Sequence, residues 1–337
     1  VQLVAFLFIV YGSVVVGFYT ADKVSGAFPV LSCAYDARTA DYCALIPLQH
    51  QMAHRIGSAV ASGGAELLAI SVATLVTLGT FLALFVLLNK AFCGWLCPVG
   101  FFQELMGMVG QKLGVRRLES VPEGTVKRVR PVKWLLLAGL VFIIPLLAGM
   151  GLFSHDFGSP YCSICPSRIL TTVANGDLGQ VFVDTSSGGA LLLSVIGTFL
   201  FGLMAALAMR LRQPFCRICP MLAMHAAVRK LGFARLVKEA KPRCEKCGLC
   251  AKACPMDIRE VATEMKKKDV TFADCTLCGR CVEFCPDKDV LAIKYLGFRL
   301  FRADPNYFKR RKQAQTAWEK GVWFRGSSTA KPAPEAE

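Results

Sequence analysis

The chain has 337 residues, 54% of them hydrophobic, with a mean hydropathy of +0.46 and a net charge of +15. That much apolar sequence excludes an ordinary soluble domain and places much of the chain in lipid. The basic excess lies beside apolar runs, so it reads as a topology and membrane-surface signal, and no nucleic-acid partner is expected.

Four apolar runs cover residues 3–20, 67–88, 134–153 and 190–209. Each is about 18–22 residues, the length that crosses a ~30 Å hydrocarbon core. Val1 opens the chain where a Met is expected, so the true start is expected to lie upstream. The first run reads as a span and not a signal peptide, because Asp22 and Lys23 follow with no small-residue cleavage site. The first connection holds Cys33 and Cys43, then His50 and His54 at i, i+4. That spacing would serve haem, metal or quinol protons, or a plain interfacial helix.

Just past the second run comes Cys93-Gly-Trp-Leu-Cys97-Pro98. The stretch 95–104 adds Trp95, Phe101, Phe102, Gln103 and Glu104, an apolar and aromatic setting with a few polar groups that suits a quinone ring, or an interfacial aromatic belt. The second connection carries Lys90, Lys112, Arg116, Arg117, Lys127, Arg128, Arg130 and Lys133, whereas the third has Arg168 against Asp156, Asp177 and Asp184. The positive-inside rule then puts both termini and the second connection in the cytoplasm of a bacterial inner membrane, with the first and third connections outward. His155 and Asp156 end the third run and are a further candidate for taking quinol protons. Cys162-Ser-Ile-Cys165-Pro166 follows in the third connection. With Cys33 and Cys43, these thiols would make either disulfides in an oxidising compartment or a centre near the outer surface. The fourth run ends at Cys216-Arg-Ile-Cys219-Pro220, with His225 beyond it. Cys93, Cys97, Cys216 and Cys219 would then converge at one depth, as an iron–sulfur or metal centre or as packed thiol pairs.

The most specific signal comes last. Cys244, Cys247, Cys250 and Cys254 precede Pro255, and Cys275, Cys278, Cys281 and Cys285 precede Pro286. This doubled C-x2-C-x2-C-x3-C-P spacing encodes two 4Fe-4S clusters that exchange their fourth ligand. Cys244, Cys247, Cys250 and Cys285 are expected on one, and Cys275, Cys278, Cys281 and Cys254 on the other. Residues 241–294 form the unit, 295–326 are basic and aromatic, and 327–337 read as disordered. No Walker loop or dinucleotide fingerprint is present.

The doubled motif and the box Cys93-Gly-Trp-Leu-Cys97-Pro98 resemble the NapH/MauN family of ferredoxin-type membrane proteins, over roughly residues 1–295. The resemblance implies four spans, cytoplasmic clusters and electron transfer between a membrane quinone and a partner redox protein. The chain departs from it in two ways: only two residues separate Cys216 from Cys219, and the outward quartet Cys33, Cys43, Cys162 and Cys165 is extra. The expected fold is an all-α membrane bundle of four transmembrane helices at 1–230, an α+β ferredoxin-like domain carrying two 4Fe-4S clusters at 231–298, and a basic tail at 299–337. The expected function is an iron–sulfur electron-transfer subunit working with the quinone pool and other subunits of a respiratory complex. Trp95, Phe102, Glu104 and His155 are its candidate quinone residues. The alternative is a thiol-redox or metallocentre assembly factor using Cys162 and Cys165.

Overall fold

A computed structural model describes residues 2–7, 45–63, 75, 78–79, 82–83, 85–118, 120–174, 178–179 and 181–320. The runs at 3–20 and 67–88 lie mostly outside these residues, and Cys33, Cys43 and 321–337 wholly so. Among the described residues two helices are long and apolar enough to cross a membrane, Glu123–Gly149 and Gly188–Arg210.

The bundle opens with α1 (Leu45–His50), which widens into a π-helical stretch, Gln51–Gly57, and closes as α2 (Ser58–Ala61). A second π-helical stretch, Phe92–Leu96, carries the first cysteine box into α3 (Pro98–Lys112). Pro98 at the first helical position fits because its missing N–H would have had no partner there. The basic connection leads to α4 (Glu123–Val129) and α5 (Val132–Leu136), then a π-helical stretch, Leu137–Ile143, and α6 (Ile144–Gly149). Pro145 lacks the N–H that a carbonyl one turn back would use, and the widened turn before it accommodates that break. Two short helices follow, α7 (Pro160–Ile164) and α8 (Pro166–Ala174). The long α9 (Gly188–Arg210) then returns, capped by the Ser187 hydroxyl accepting from the Ala190 N–H, and α10 (Pro220–Ala227) follows the second box.

The last third is α+β. Strand β1 (Ala234–Lys238) leads into the cysteine loops, whose helices are α11 (Leu249–Ala253), α12 (Glu260–Thr263) and α13 (Arg280–Glu283). Strands β2 (Leu291–Tyr295) and β3 (Phe298–Arg302) complete an antiparallel sheet in the order β1-β2-β3. Ala234 pairs with Tyr295, and Tyr295 with Phe298. A domain edge at 298 would therefore cut β3 away from its partner. The basic α14 (Pro305–Lys320) follows the sheet.

The two parts share one packed seam. The buried core of the sheet domain, with Leu236, Ile258, Leu277 and Ile293, has Cys93, Cys216 and Cys219 packed against it. Lys133 is buried and paired with Asp274, which also takes Arg130 at 2.9 Å. Arg217 bonds Asp257 at 2.6 Å and Glu104 bonds Arg280 at 2.9 Å. Basic residues that read in sequence as an orientation signal thus also fasten the domain to the end of the bundle.

Candidate functional site

The doubled motif folds as two copies of one loop. Lys246 and Leu277 have φ of +55°, and Gly248 and Gly279 have φ of +74° and +78°. These left-handed pairs curl each loop back over its own sulfurs, and the Leu277 N–H points at Cys275 Sγ at 3.3 Å. One cavity is lined by Cys244, Cys247, Cys250 and Cys285, and another by Cys254, Cys275, Cys278 and Cys281. Each takes three sulfurs from one motif and one from the other. Cys247 is exposed, whereas Cys275, Cys281 and Cys285 are buried. Burial, and next the neighbouring Cys278, pushes the Cys254 thiol up to about 12. Burial pushes Cys275 up to about 11 against the pull of Lys90. Thiols so placed carry negative charge only when a cationic group sits among them.

The two boxes converge below the second cavity. Cys93 is held well above the ordinary thiol range by burial, and next by Cys97, Cys219 and Cys216. Gln103, buried on α3, donates to Cys216 Sγ at 3.3 Å and accepts from the Phe215 N–H at 2.9 Å, so it orders the second box from the first. Gly94 makes the closest approach to the sheet domain. A Cβ there would fall 2.8 Å from the Cys278 Cα and closer still to the Thr276 carbonyl. Trp95 donates to the Leu277 carbonyl at 2.9 Å, and buried Lys90 donates to the Phe272 and Ala273 carbonyls at 2.6 Å each. Burial lowers the Lys90 ammonium to about 8. Among the described residues no three His, Cys, Asp or Glu groups stand close enough to hold a single metal ion. The tail quartets ring cavities instead.

Cys162 and Cys165 require a correction. They do not stay with the outer connection. Ser187, at the start of α9, bonds Asp156 at 2.6 Å, but Gly197 meets the Ser163 carbonyl and the Ile164 Cα. Ten residues of helix separate those levels, roughly 15 Å along the axis. The chain therefore folds back along α9, and α8 goes on to pack Leu170 against Val99 and Met204. Gly197 is what permits the approach, since a Cβ there would lie 2.8 Å from the Ser163 carbonyl. The Tyr161 hydroxyl ends 3.9 Å from Cys165 Sγ and 3.8 Å from Cys219 Sγ. Cys162 is buried and takes a hydrogen bond of 2.9 Å from Gln49, whose amide oxygen accepts from the Tyr161 N–H. The third box thus abuts the second, and the two do not occupy opposite surfaces.

The candidate quinone residues do not form one site. Trp95 and Glu104 are engaged with the sheet domain, and Phe102 stacks on Phe201 of α9 with centroids 5.6 Å apart. His155 lies at the other end of the bundle, 5.2 Å between centroids from His54, which in turn is 5.3 Å from His50. Two histidine groups read separately in sequence thus meet in space. His225 is buried between Phe85 and Phe92, and among the described residues neither ring nitrogen meets a hydrogen-bond partner. Burial, then Lys90, lowers its imidazole to about 3. Sequence reasoning passed over Gln49 and Tyr161, and it read Gln103 as part of a quinone setting, not as the group that orders the second box. Their signal was a lone polar group in an apolar stretch beside a histidine or a cysteine box.

Residues 70–116 and 191–238 match the 4Fe-4S binding domain family, and residues 236–286 match the 4Fe-4S dicluster domain family. The first covers both boxes, and the second covers the eight tail cysteines. The putative electron transport protein YccM of Escherichia coli is 32% identical over 66% of this chain and 56% of its own length. The ferredoxin-type protein NapH of Haemophilus influenzae is 26% identical over 60% of this chain and 62% of its own. The methylamine utilization ferredoxin-type protein MauN of Methylobacillus flagellatus is 27% identical over 50% and 48%. The chain is a relative of the NapH/MauN ferredoxin-type proteins. It spans less than two thirds of the length of YccM, NapH and MauN. No solved structure matches it. Cys162 and Cys165 fall between the stretches that match the 4Fe-4S binding domain family.

Proposed function

We propose that this chain is a multi-pass inner-membrane electron carrier that exchanges electrons between the quinone pool and a partner redox protein of a respiratory complex. It would have four spans within 1–230, a domain for two 4Fe-4S clusters from 231 through the end of β3 at Arg302, a basic tail beyond it and both termini in the cytoplasm. The tail cysteines would hold the clusters as Cys244, Cys247, Cys250 with Cys285, and as Cys275, Cys278, Cys281 with Cys254. A third centre would use Cys93, Cys97, Cys216 and Cys219, with Cys165 beside it across the Tyr161 hydroxyl. Bound there, such clusters supply one-electron carriers whose potentials follow burial, charge and hydrogen bonds to sulfur.

The observation that carries this reading is the seam at Gly94, where the first box lies against the loop of Cys275 and Cys278 with no side chain between them. Cys93, Cys216 and Cys219, partly buried, pack there on the domain core. Lys90 places a cation between Cys93 and Cys275, where it offsets the charge of thiolates on both sides. At the far end of the bundle His50, His54 and His155 would take the protons that quinol releases. A single zinc fits the tail quartets poorly. Zn–S bonds of about 2.3 Å would draw the sulfurs to roughly 3.8 Å from one another, and among the described residues no three such groups stand close enough to hold one ion. A thiol-redox factor cycling Cys162 with Cys165 needs thiols that an outside partner can reach, and Cys162 is 4% exposed.

Iron and acid-labile sulfide in anaerobically purified protein test the proposal, together with reduction of its EPR signals by a quinol in proteoliposomes. Two clusters alone hold about eight irons. A higher content, with signals that quinol changes, is expected. An iron content of eight removes the centres in the bundle, and no iron ends the reading altogether.

A further inference from the structure

The sheet domain also has a surface that none of this chemistry uses. Its position relative to the bundle is fixed at one corner: the Phe233 N–H donates to the Val86 carbonyl at 2.9 Å, and the Asn89 amide donates to the Ala234 carbonyl at 2.7 Å. β1 therefore starts at the end of the helix at 85–88 and runs away from it. β2, antiparallel, runs back and finishes with Tyr295 opposite Ala234. The turn Leu296-Gly297 and the first residue of β3 then project past that corner, toward the level of Val86. Gly297, at φ +90°, makes the turn tight enough to point that way.

What projects is apolar. Phe298 is 76% exposed, Leu300 68% and Leu296 56%, with Leu231 of the neighbouring turn at 59%. A contiguous greasy tip beside the end of a span is out of place in water. The residues around it are basic. Segments 228–235 and 294–302 contain Arg229, Lys230, Arg235, Lys294, Arg299 and Arg302 and no acid. Glu239, Asp269 and Asp289 pair with four of these cations, so the rim keeps a net positive charge.

We propose that the β2–β3 turn is a lipid anchor: Leu296 and Phe298 enter the headgroup–acyl boundary of the cytoplasmic leaflet, and the basic rim meets anionic phospholipid. Apolar side chains under a cationic collar are what an interfacial segment requires. The anchor holds the sheet domain at a fixed tilt against the bundle, which keeps the Gly94 seam closed. This inference rests on the chain being membrane-bound, and the experiment separates the two.

The full chain, carrying a photoreactive benzoylphenylalanine in place of Phe298, is reconstituted in vesicles containing phosphatidylglycerol and irradiated. A sister variant carries the probe at Lys267, on the opposite end of the sheet. Mass spectrometry is expected to find lipid adducts at 298 and none at 267, with wild-type iron content reporting the fold. Cross-links from 298 to a second copy of the chain would make the tip a dimer contact and overturn the anchor. Absence of any lipid adduct at 298, in protein that resists carbonate extraction, would overturn it while leaving the membrane reading intact. Release of the whole chain by carbonate would sink both.

Discussion

The tail cysteines and the box cysteines share residue type, proline punctuation and burial, yet they are assembled by opposite means. In the tail, three sulfurs of each quartet come from one loop of seven residues, and the loop repeats its left-handed positions at Lys246, Gly248 and Leu277, Gly279. In the bundle, Cys93 and Cys219 are more than a hundred residues apart and meet only because α3, α9 and α10 pack as they do. The first arrangement is local chemistry that folds wherever the loop is made. The second is tertiary, and it exists only while the seam between domain and bundle stays shut. Disturbing the seam should therefore spare the tail and damage the boxes.

The largest effect is expected from Lys133→Ala. Lys133 is 1% exposed and holds Asp274 from the bundle side. Removing one partner of a buried pair costs about 3–5 kcal/mol, and Arg130, still 2.9 Å from Asp274, should keep the loss near the lower end. Thermal unfolding in detergent should show the destabilisation while tail-cluster absorbance in the cold is unchanged. Equal loss of iron from tail and boxes would erase the distinction. Gly94→Ala comes next. The added methyl meets backbone that cannot rotate away, and such overpacking costs about 1–3 kcal/mol. Here the expected signature is a box centre that becomes oxygen-sensitive in a chain whose tail EPR signals persist.

The same contrast explains what was legible in the sequence. The eight tail cysteines declare themselves through spacing, because their geometry is set within a few residues. The fourth apolar run, at 190–209, falls within helix Gly188–Arg210, and the third, at 134–153, lies in helix Glu123–Gly149 but for its last four residues, since hydropathy responds to the same apolar side chains that lipid does. The fold-back of residues 160–174 was not legible. Residues 154–189 read as an outer connection by charge, and only Pro160, Pro166 and the apolar Ile169 and Leu170 hinted at two short helices packed inside. β3 was missed for a different reason. Its outward side chains, Phe298 and Leu300, alternate with arginines, so the strand resembled a basic aromatic tail and not the edge of a sheet. The four quinone candidates failed to cluster because Trp95 and Glu104 were chosen for composition, and composition does not reveal that a neighbouring domain already engages them.

Tyr161→Phe sharpens the comparison at the point where the second and third boxes touch. The change removes one hydroxyl from between Cys165 and Cys219 and keeps the ring that packs with Leu45, Leu48 and Phe85. Stability should fall by only about 0.5–1.5 kcal/mol. A hydrogen bond to sulfur favours the more negative, reduced state, so the reduction potential of the bundle centre should drop while the tail potentials hold. Unchanged potentials throughout would mean the hydroxyl is packing and nothing more.

The smallest effect belongs to Glu239 of the sheet domain, a residue that lines neither cysteine cavity. Its carboxyl is held below the ordinary range by the hydrogen bond from Lys294, and then by the charges of Lys294, Arg299 and Lys268. A carboxylate with a depressed folded pKa adds stability that is present in full above its unfolded value of 4.5 and is lost as pH falls through the folded value. Solvent screening limits the contribution to at most about 1 kcal/mol. Glu239→Gln should therefore speed amide exchange in β2 and β3 slightly at neutral pH, and the difference from wild type should vanish in acid. The direction is the test: a gap that widens as the solution is acidified would place the stabilising charge elsewhere. Because Glu239 also neutralises Lys294 and Arg299 of the basic rim, the same change should raise the yield of lipid cross-links from position 298 in vesicles containing phosphatidylglycerol without touching iron content.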